Sequence, residues 1–555
     1  MTVALASSLP RPGADDAVRW GVVAASVAGI LALPTVAVVA VAASADGSAW
    51  RHLVSTVLGE YVWHSVLLAL GVGTGTLVIG TTTAWLTTVC AFPGWRALSW
   101  LLLLPLALPA YIVAYTYTGV LDYPGPVQTA LRDLFGWGPG DYWFPNIRSL
   151  PGAILVLTLC LYPYVYLLSR AAFVSRSASA IEVGRSLGLG PMAVFARIGL
   201  PLARPAVVTG VALVLMETLA DYGTVKYFGV TTFTTGIFRT WFGMGDRAAA
   251  AQLATALLGL VLLLVLLERW SRRQRQFDDA GAAAAGTPYP LRGWRALAAA
   301  GWCALPLLLG FLVPALQLAW WCIDTFGEQW RRGFPELMGN SILAAGITAA
   351  IAVFLALLLG YGQRLRPVPT VRGAVRVAAS GYAVPGTVIA VGVIIPLAWL
   401  DNSIDGLARE LFGVSTGLLL SGTLVAVIFA YLVRFMSVGI QTMEAGLAAI
   451  STGVDDCARA LGCAPKAVLG RVLLPLLRPS LLTAGLLVFV DVMKELPATL
   501  ILRPFDFNTL AVRAYELAED EQLAAAAPAA LAIVIVGLVP VFLLARGITR
   551  ERRHA

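Results

Sequence analysis

The sequence predicts an all-α membrane protein with twelve transmembrane helices, arranged as two parallel six-helix repeats. Hydrophobic residues make up 59% of the 555 residues and charged residues only 13%, whereas soluble domains carry about 25% charged residues. The apolar runs are long enough to cross a bilayer, which takes about 20 residues per helix. One sequence motif also occurs twice, 274 positions apart. These observations exclude a soluble protein and predict a duplicated membrane domain.

The repeat is visible as two aligned segments. From Glu182 the chain reads EVGRSLG, then nine residues, then IGLPLARP; from Asp456 it reads DCARALG, then nine residues, then VLLPLLRP. Upstream the offset is 276, which pairs His64 with Asn340 and Pro109 with Pro385. A period of this length indicates two copies of a whole domain, because solenoid repeats are far shorter.

The predicted organisation is a first repeat at 1–270, a linker at 271–293 and a second repeat at 294–555. Each repeat has six apolar runs, and an even number of spans makes the two repeats parallel. The predicted spans are approximately 18–43, 62–88, 97–120, 151–174, 205–227, 250–268, 295–322, 339–362, 375–400, 416–438, 479–503 and 524–546.

Basic residues set the predicted orientation. With both termini in the cytoplasm, about 27 of the 39 Lys and Arg residues fall on the cytoplasmic side. The net charge of +8 is then a consequence of topology. We therefore expect no nucleic-acid partner, because no basic soluble face exists. A signal peptide ending at Ala42–Ala45 is the alternative for the first run, but that run exceeds the 7–15 residues of a signal core.

The sequence offers little for catalysis or metal binding. It has three histidines and six cysteines without a C-x-x-C pair, so no catalytic residue is predicted and no metal site is assigned. It also lacks the phosphate-binding pattern G-x-x-x-x-G-K-[ST]. Any ATPase that works with this chain is therefore expected to be a separate chain, and this chain is expected to hold no cofactor.

Each repeated motif predicts a helix, a break and a second helix. Gly188 and Gly462 are expected to adopt positive φ or to allow close approach. Pro191 and Pro465 follow, and proline suits the first turn of a helix. We expect short helices at about 191–198 and 465–472 to lie along the membrane surface.

The pattern E/D-x-x-x-x-x-G, nine residues, I/V-x-L-P resembles the EAA loop of bacterial ABC importer permeases. Val183-Gly184 and Cys457-Ala458 replace the Ala-Ala of that family, and Asp456 replaces Glu. We call residues 182–201 the first EAA loop and 456–475 the second. The resemblance implies that each loop docks in a groove of an ATPase subunit. The coupling residues it implies are Glu182, Gly188, Pro191, Leu200, Pro201, Asp456, Gly462, Pro465, Leu474 and Pro475.

Acidic residues interrupt the fifth and eleventh spans. Glu217 and Asp221 are four residues apart, as are Asp491 and Glu495, so each pair is predicted to share a helical face. Charges inside a membrane are costly and usually functional. These four acidic residues and Lys494 are interpreted in one of two ways: they line a cation pathway around the pseudo-two-fold axis, or they form a salt-bridged gate. Tyr111, Tyr115, Tyr117 and Tyr222 are interpreted as an aromatic interface belt.

The stretch from Asp491 to Ala518, with its KELPATL block, resembles the second half of fused ferric-iron ABC importer permeases, and METLADYGTVKYFGV resembles their first half. The resemblance implies a bacterial inner-membrane permease, a periplasmic or surface substrate-binding protein, and two copies of a cytoplasmic ATPase. Fused permeases for thiamine or a polyamine are the alternative. An ion-coupled secondary transporter is disfavoured by the two EAA loops, and a membrane enzyme by the missing catalytic cluster.

Overall fold

A computed structural model describes residues 14–45, 47–175, 178–273 and 288–551 of the chain. Within these ranges the chain is almost entirely helical, which confirms the predicted class. The strands in the described part are two-residue segments, β1 (Cys90–Ala91) and β2 (Tyr289–Pro290), paired in parallel. Most of the predicted linker, 274–287, lies outside the described residues. The final residues of the linker include β2, which pairs with β1 directly after the second span.

Thirteen helices are described before the linker. They are α1 (Ala14–Ser44), α2 (Ser48–Thr56), α3 (Leu58–Val89), α4 (Trp95–Leu101), α5 (Ala110–Leu121), α6 (Pro126–Phe135), α7 (Leu150–Ser175), α8 (Ala178–Ser186), α9 (Pro191–Val194), α10 (Leu200–Ala220), α11 (Gly223–Tyr227), α12 (Phe233–Phe238) and α13 (Arg247–Arg273).

Twelve described helices follow the linker. They are α14 (Trp294–Leu307), α15 (Val313–Arg331), α16 (Phe334–Leu365), α17 (Pro369–Ala378), α18 (Gly386–Phe412), α19 (Leu424–Ala448), α20 (Thr452–Ala460), α21 (Pro465–Ala467), α22 (Leu474–Met493), α23 (Pro497–Leu502), α24 (Leu510–Glu519) and α25 (Leu523–Glu551). Four π-helical turns, at Phe195–Gly199, Arg239–Gly243, Leu308–Leu312 and Val468–Leu473, join helices in both lists.

The predicted twelve spans agree with the described helices. Eleven described helices are long and apolar enough to cross a membrane, and the number is twelve when two segments bent by 92°, Trp95–Ala107 and Ala110–Phe135, are counted as one span. The bend falls at Pro109, which has φ −59° and ψ 139°. Its predicted counterpart Pro385 has φ −56° and ψ 142° and likewise follows a 3₁₀ turn. The two repeats therefore share a local backbone conformation at this point.

Four predicted spans have wrong boundaries. The ninth, expected at 375–400, is Gly386–Phe412, and the tenth, expected at 416–438, is Leu424–Ala448. The fifth and eleventh differ for a reason that they share. The fifth was expected at 205–227 and the eleventh at 479–503, but the helices span Pro191–Ala220 and Pro465–Met493. Both helices begin earlier because the second helix of each EAA loop, which starts at Pro191 or Pro465, runs directly into the membrane span. Both end earlier because the chain turns into a short helix, α11 or α23, whose first turn is capped by an acidic side chain.

The chain forms two compact units that cut across the sequence repeats. Unit 1 contains the described residues up to Val41 together with Gly339–Asn508; unit 2 contains Ala42–Met338 and the described residues from Thr509 onward. In unit 1, the backbone of Pro34 on α1 packs directly against Gly392 on α18, where a Cβ atom would collide with it. In unit 2, the Thr325 hydroxyl on α15 donates to the Ala524 carbonyl, 2.9 Å away. The repeat boundaries near 270 and 294 remain predictions from the sequence.

Candidate functional site

The two EAA loops have the same turn geometry. In the second, the Cys463 N–H donates to the Ala458 carbonyl at 3.0 Å and the Gly462 N–H to the Arg459 carbonyl at 2.9 Å. Gly462 has φ +83°. This is a Schellman motif, in which a left-handed residue ends a helix and satisfies its last carbonyls. In the first loop Gly188 has φ +78° and the Leu189 N–H donates to the Gly184 carbonyl at 3.1 Å. The positive φ predicted for both glycines is confirmed.

The helices after the two breaks differ from the prediction. We expected separate short helices at about 191–198 and 465–472. Instead Pro191 and Pro465 begin helices that pass through a π turn into α10 and α22. Each π turn ends just before a Leu-Pro pair. Proline has no backbone N–H to donate, so the π turn interrupts the regular helical hydrogen bonds at a point where one of them is already missing. The separate short helices are therefore those before the glycines, α8 and α20.

Exposed side chains mark the tips of both loops. Glu182 and Asp456 lie on the exposed sides of α8 and α20. Leu187 is 75% exposed and Leu461 is 85% exposed, and these two leucines are 274 positions apart. Neither leucine was predicted to be a site residue, although both copies place a leucine directly before the glycine. Both loop tips therefore present an exposed apolar side chain at the same position.

The first EAA loop rests on an aromatic cluster in unit 2. The Trp85 ring on α3 lies 5.2 Å from the Phe195 ring and 5.4 Å from the Phe173 ring, centroid to centroid. It also faces Gly199, where a Cβ would lie 2.7 Å from the indole. Ile181 on α8 is buried in the same apolar cluster. The loop is thus held to the second span of its repeat by packing.

The second EAA loop is held by polar contacts in unit 1. Arg364 on α16 forms a buried ion pair with Asp455 on α20, with Nε 2.8 Å from Oδ2. The same guanidinium donates to the carbonyls of Leu447 and Ser451. The Tyr361 hydroxyl donates to the Pro465 carbonyl at 2.6 Å. These partners fix both sides of the break on the second span of this repeat.

The acidic residues of the first repeat do not share a helical face. Helix α10 ends at Ala220, so Asp221 lies beyond it. The Asp221 carboxylate accepts hydrogen bonds from the Val225 N–H and the Thr224 hydroxyl, both at 3.1 Å. It therefore caps α11. Glu217 lies on the last turns of α10 and is half-buried.

The second repeat shows the same arrangement. Glu495 follows α22 and accepts hydrogen bonds from the Ala498 N–H at 2.9 Å, the Thr499 N–H at 3.0 Å and the Thr499 hydroxyl at 2.6 Å. Arg434 lies 3.4 Å from the same carboxylate, and both side chains are largely buried. Asp491 pairs with Lys494 at 2.8 Å. The shared-face prediction is wrong because one acid of each pair, Asp221 or Glu495, is used to start the next helix.

The tyrosines do not form an interface belt. Tyr111, Tyr115, Tyr117 and Tyr222 are 1–7% exposed, whereas a belt would place its rings against lipid headgroups. The Tyr117 hydroxyl donates to the Leu309 carbonyl at 2.6 Å. In the described part of the chain no three His, Cys, Asp or Glu side chains are grouped so that they could hold a metal ion.

Both repeats contain helical spans, and both have the same glycine-ended loop that leads into a long span. These features define a multi-pass membrane transport component. Comparison with family models agrees. The family described as "Binding-protein-dependent transport system inner membrane component" matches residues 92–276 and again 352–554. These matches cover more than half of the chain, so the chain belongs to this family. Members are permease subunits of ABC importers that work with an ATPase and a substrate-binding protein.

Three curated relatives show the range of this similarity. The chain is 27% identical to the Fe(3+)-transport system permease protein FbpB 2 of Haemophilus influenzae, over 88% of this chain and 90% of that protein. It is 28% identical to the molybdenum transport system permease protein ModB of Escherichia coli K12, over 39% of this chain and 96% of that protein. It is 27% identical to the thiamine transport system permease protein ThiP of Brucella abortus, over 48% of this chain and 49% of that protein.

Proposed function

We propose that the chain is the translocation subunit of a ferric-iron importer and that its EAA loops transmit ATP hydrolysis to the membrane spans. The observation that carries the coupling role is the equivalence of the loops. Both end a short helix with the same left-handed glycine, and both expose a leucine just before it. The coupling surface then comprises Leu187 and Leu461 with the residues named from the sequence. ATP and Mg²⁺ bind the partner ATPase.

One copy of this chain is expected to bind two ATPase subunits, because it carries two loops. Native mass measurement of the solubilised complex tests this stoichiometry. A complex with two copies of this chain and two ATPases would contradict it, since four loops would then face two grooves. Both termini are expected in the cytoplasm, and reporter fusions at each end test the orientation.

The iron substrate is inferred from an Fe(3+)-transport permease that matches 88% of this chain. Vesicles containing this chain and its ATPase should take up ferric iron when the cognate binding protein and ATP are supplied. Thiamine and a polyamine serve as competing substrates in the same assay. Uptake of thiamine without iron would replace the iron assignment and would leave the coupling role intact.

The acidic residues Glu217, Asp221, Asp491 and Glu495, with Lys494, are proposed to border the translocation pathway. Two of them have capping roles, so we expect Glu217 and Asp491 to act on the substrate directly and Asp221 and Glu495 to position the turns. Asp491→Asn should slow uptake while ATPase assembly persists. If the Asp491–Lys494 pair instead holds a gate shut, the same variant should raise ATP hydrolysis in the absence of substrate. Unchanged uptake and hydrolysis would remove Asp491 from both roles.

A further inference from the structure

A cavity of about 410 Å³ lies in unit 2, beside the end of α10 that is farthest from the first EAA loop. Its lining includes Tyr61 on α3 and residues of the segment that follows α10, from Tyr222 to Gly243. The helix from Pro191, in that loop, to Ala220 contains 30 residues, so the end beside the cavity lies about 45 Å from Pro191. The cavity is therefore at the face opposite the proposed ATPase contact, where solute enters an importer.

The charged residues that line this cavity are both basic. Lys226 and Arg239 contribute to its wall. Within the described ranges, Arg239 has no carboxylate within salt-bridge distance. Lys226 lies 3.6 Å from Glu519, but both side chains are about half exposed, and such exposed pairs are weak. Both cations thus remain available to a ligand.

The walls are fixed by their own contacts. Tyr222 and Phe238 stack with ring centroids 3.7 Å apart. The Thr231 hydroxyl is bonded to Glu60 at 2.5 Å and to His64 at 2.7 Å. Arg239 begins the π turn Arg239–Gly243, and such turns occur frequently at functional sites. A cavity whose walls are already ordered loses less conformational entropy on binding.

The second repeat keeps only one of three polar residues of this cavity wall. At the offset of 274, Tyr222 corresponds to Leu496, Lys226 to Leu500 and Arg239 to Arg513. Leucines at these positions show that the fold does not need a tyrosine or a lysine there. The tyrosine and the lysine of this cavity are therefore features of the first repeat, whereas its arginine occurs in both repeats.

We propose that this cavity binds the oxyanion groups, carboxylate or phosphate-like, of the transported solute. Arg239 supplies a planar fork that fits a carboxylate or phosphate in two hydrogen bonds, and Lys226 supplies a compact charge. The oxyanion either belongs to a chelate that carries the metal or is itself the solute. The assignment rests on the proposed importer function, and it favours an anionic chelate over a free metal cation as the form that enters.

Direct binding tests this assignment. The full-length chain, purified with its ATPase subunits in lipid nanodiscs, is titrated calorimetrically with ferric citrate, citrate, inorganic phosphate and molybdate. Ferric citrate binding tighter than phosphate or molybdate identifies a chelate; the reverse order identifies a free oxyanion. Arg239→Gln should weaken binding at least tenfold and Lys226→Gln several-fold. Arg247→Gln is the matched control, since Arg247 stacks near Trp241 outside the cavity.

Two results would overturn the assignment: no binding of any of the four probes to the unaltered complex, or equal binding by Arg239→Gln. Arg239→Lys keeps the positive charge and serves as a folding control. It should retain part of the affinity, which would show that the loss in Arg239→Gln is not caused by misfolding. Failure here is distinct from failure of the iron function. Iron uptake without anion binding removes the cavity assignment alone, and anion binding without iron uptake removes the iron substrate alone.

Discussion

The first EAA loop is held to its second span by an aromatic cluster, whereas the second is held by a buried ion pair and a tyrosine hydroxyl. The contacts come from equivalent positions: Trp85 and Tyr361 are 276 apart, and Ile181 and Asp455 are 274 apart. The backbone of the turn is nevertheless the same in both. The loop conformation is therefore set by its glycine, and its attachment is set by whichever side chains the second span supplies.

The attachment of the second loop should depend most strongly on Arg364. Arg364→Ala leaves the Asp455 carboxylate buried without its partner, and breaking such a pair typically costs about 3–5 kcal/mol. We expect amides of α20 to exchange faster with solvent and less ATPase to co-purify. Arg409→Ala removes an exposed arginine that pairs with Asp405 away from the loop; it is the control and should change neither. Normal protection of α20 in Arg364→Ala would contradict an ionic attachment.

A double substitution sharpens the same comparison. Arg364→Thr with Asp455→Ile places at these positions the residues found in the first repeat, Thr88 and Ile181. Removing both charges together avoids an unpaired buried ion, so the double variant should be more stable than Arg364→Ala. A double variant as unstable as the single one would show that the hydrogen bonds to Leu447 and Ser451 matter more than the ion pair.

The first loop should depend on Trp85 to a similar extent. Trp85→Ala removes the ring that packs against Phe195, Phe173 and Gly199, and such truncations cost about 3–5 kcal/mol. Loss of protection should be confined to α8 and α9 in hydrogen exchange, with the second loop unchanged. If α20 in unit 1 lost protection equally, the two attachments would not be independent.

The glycines should respond alike in both loops. A Cβ at Gly188 or Gly462 would meet no atom within 4 Å, so the cost of Gly→Val is the backbone strain of about 1–3 kcal/mol. We expect both variants to fold, to bind ATPase poorly and to lose transport. Asn tolerates the left-handed conformation better, so Gly→Asn variants should keep more activity. Normal transport by both valine variants would exclude these loops as coupling elements.

The smallest expected effect is at Tyr361. Tyr361→Phe removes the hydrogen bond to the Pro465 carbonyl, worth about 0.5–1.5 kcal/mol, while its ring remains. A modest fall in the protection of α21 should be measurable by hydrogen exchange, with transport retained. Tyr123→Phe, at a half-exposed ring outside the loop, is the control. A complete loss of ATPase binding would show that this hydroxyl has a larger role than anchoring.

Much of the architecture could be predicted because membrane spans and turns leave local signals. Apolar runs located all twelve spans, since each must satisfy its backbone in lipid. The Gly188 and Gly462 turns followed from residue type. The ends of the fifth and eleventh spans were wrong because nothing in the local sequence shows that Asp221 and Glu495 cap the following helix. The four-residue spacing of the acids alone could not show whether both lie on one helical face or whether one of them lies beyond the end of the helix.

The sequence by itself determined the class of the protein, its duplication and the conformation of the glycine turns in its EAA loops, because these depend on composition and on residues close together in the chain. Only the tertiary structure decided which side chains anchor each loop. It also decided that helix α1 packs with Gly339–Asn508 and that Lys226 and Arg239 share a cavity. Those outcomes depend on contacts between residues far apart in the chain, whose pairing is selected by packing and charge in the folded state rather than by any local pattern.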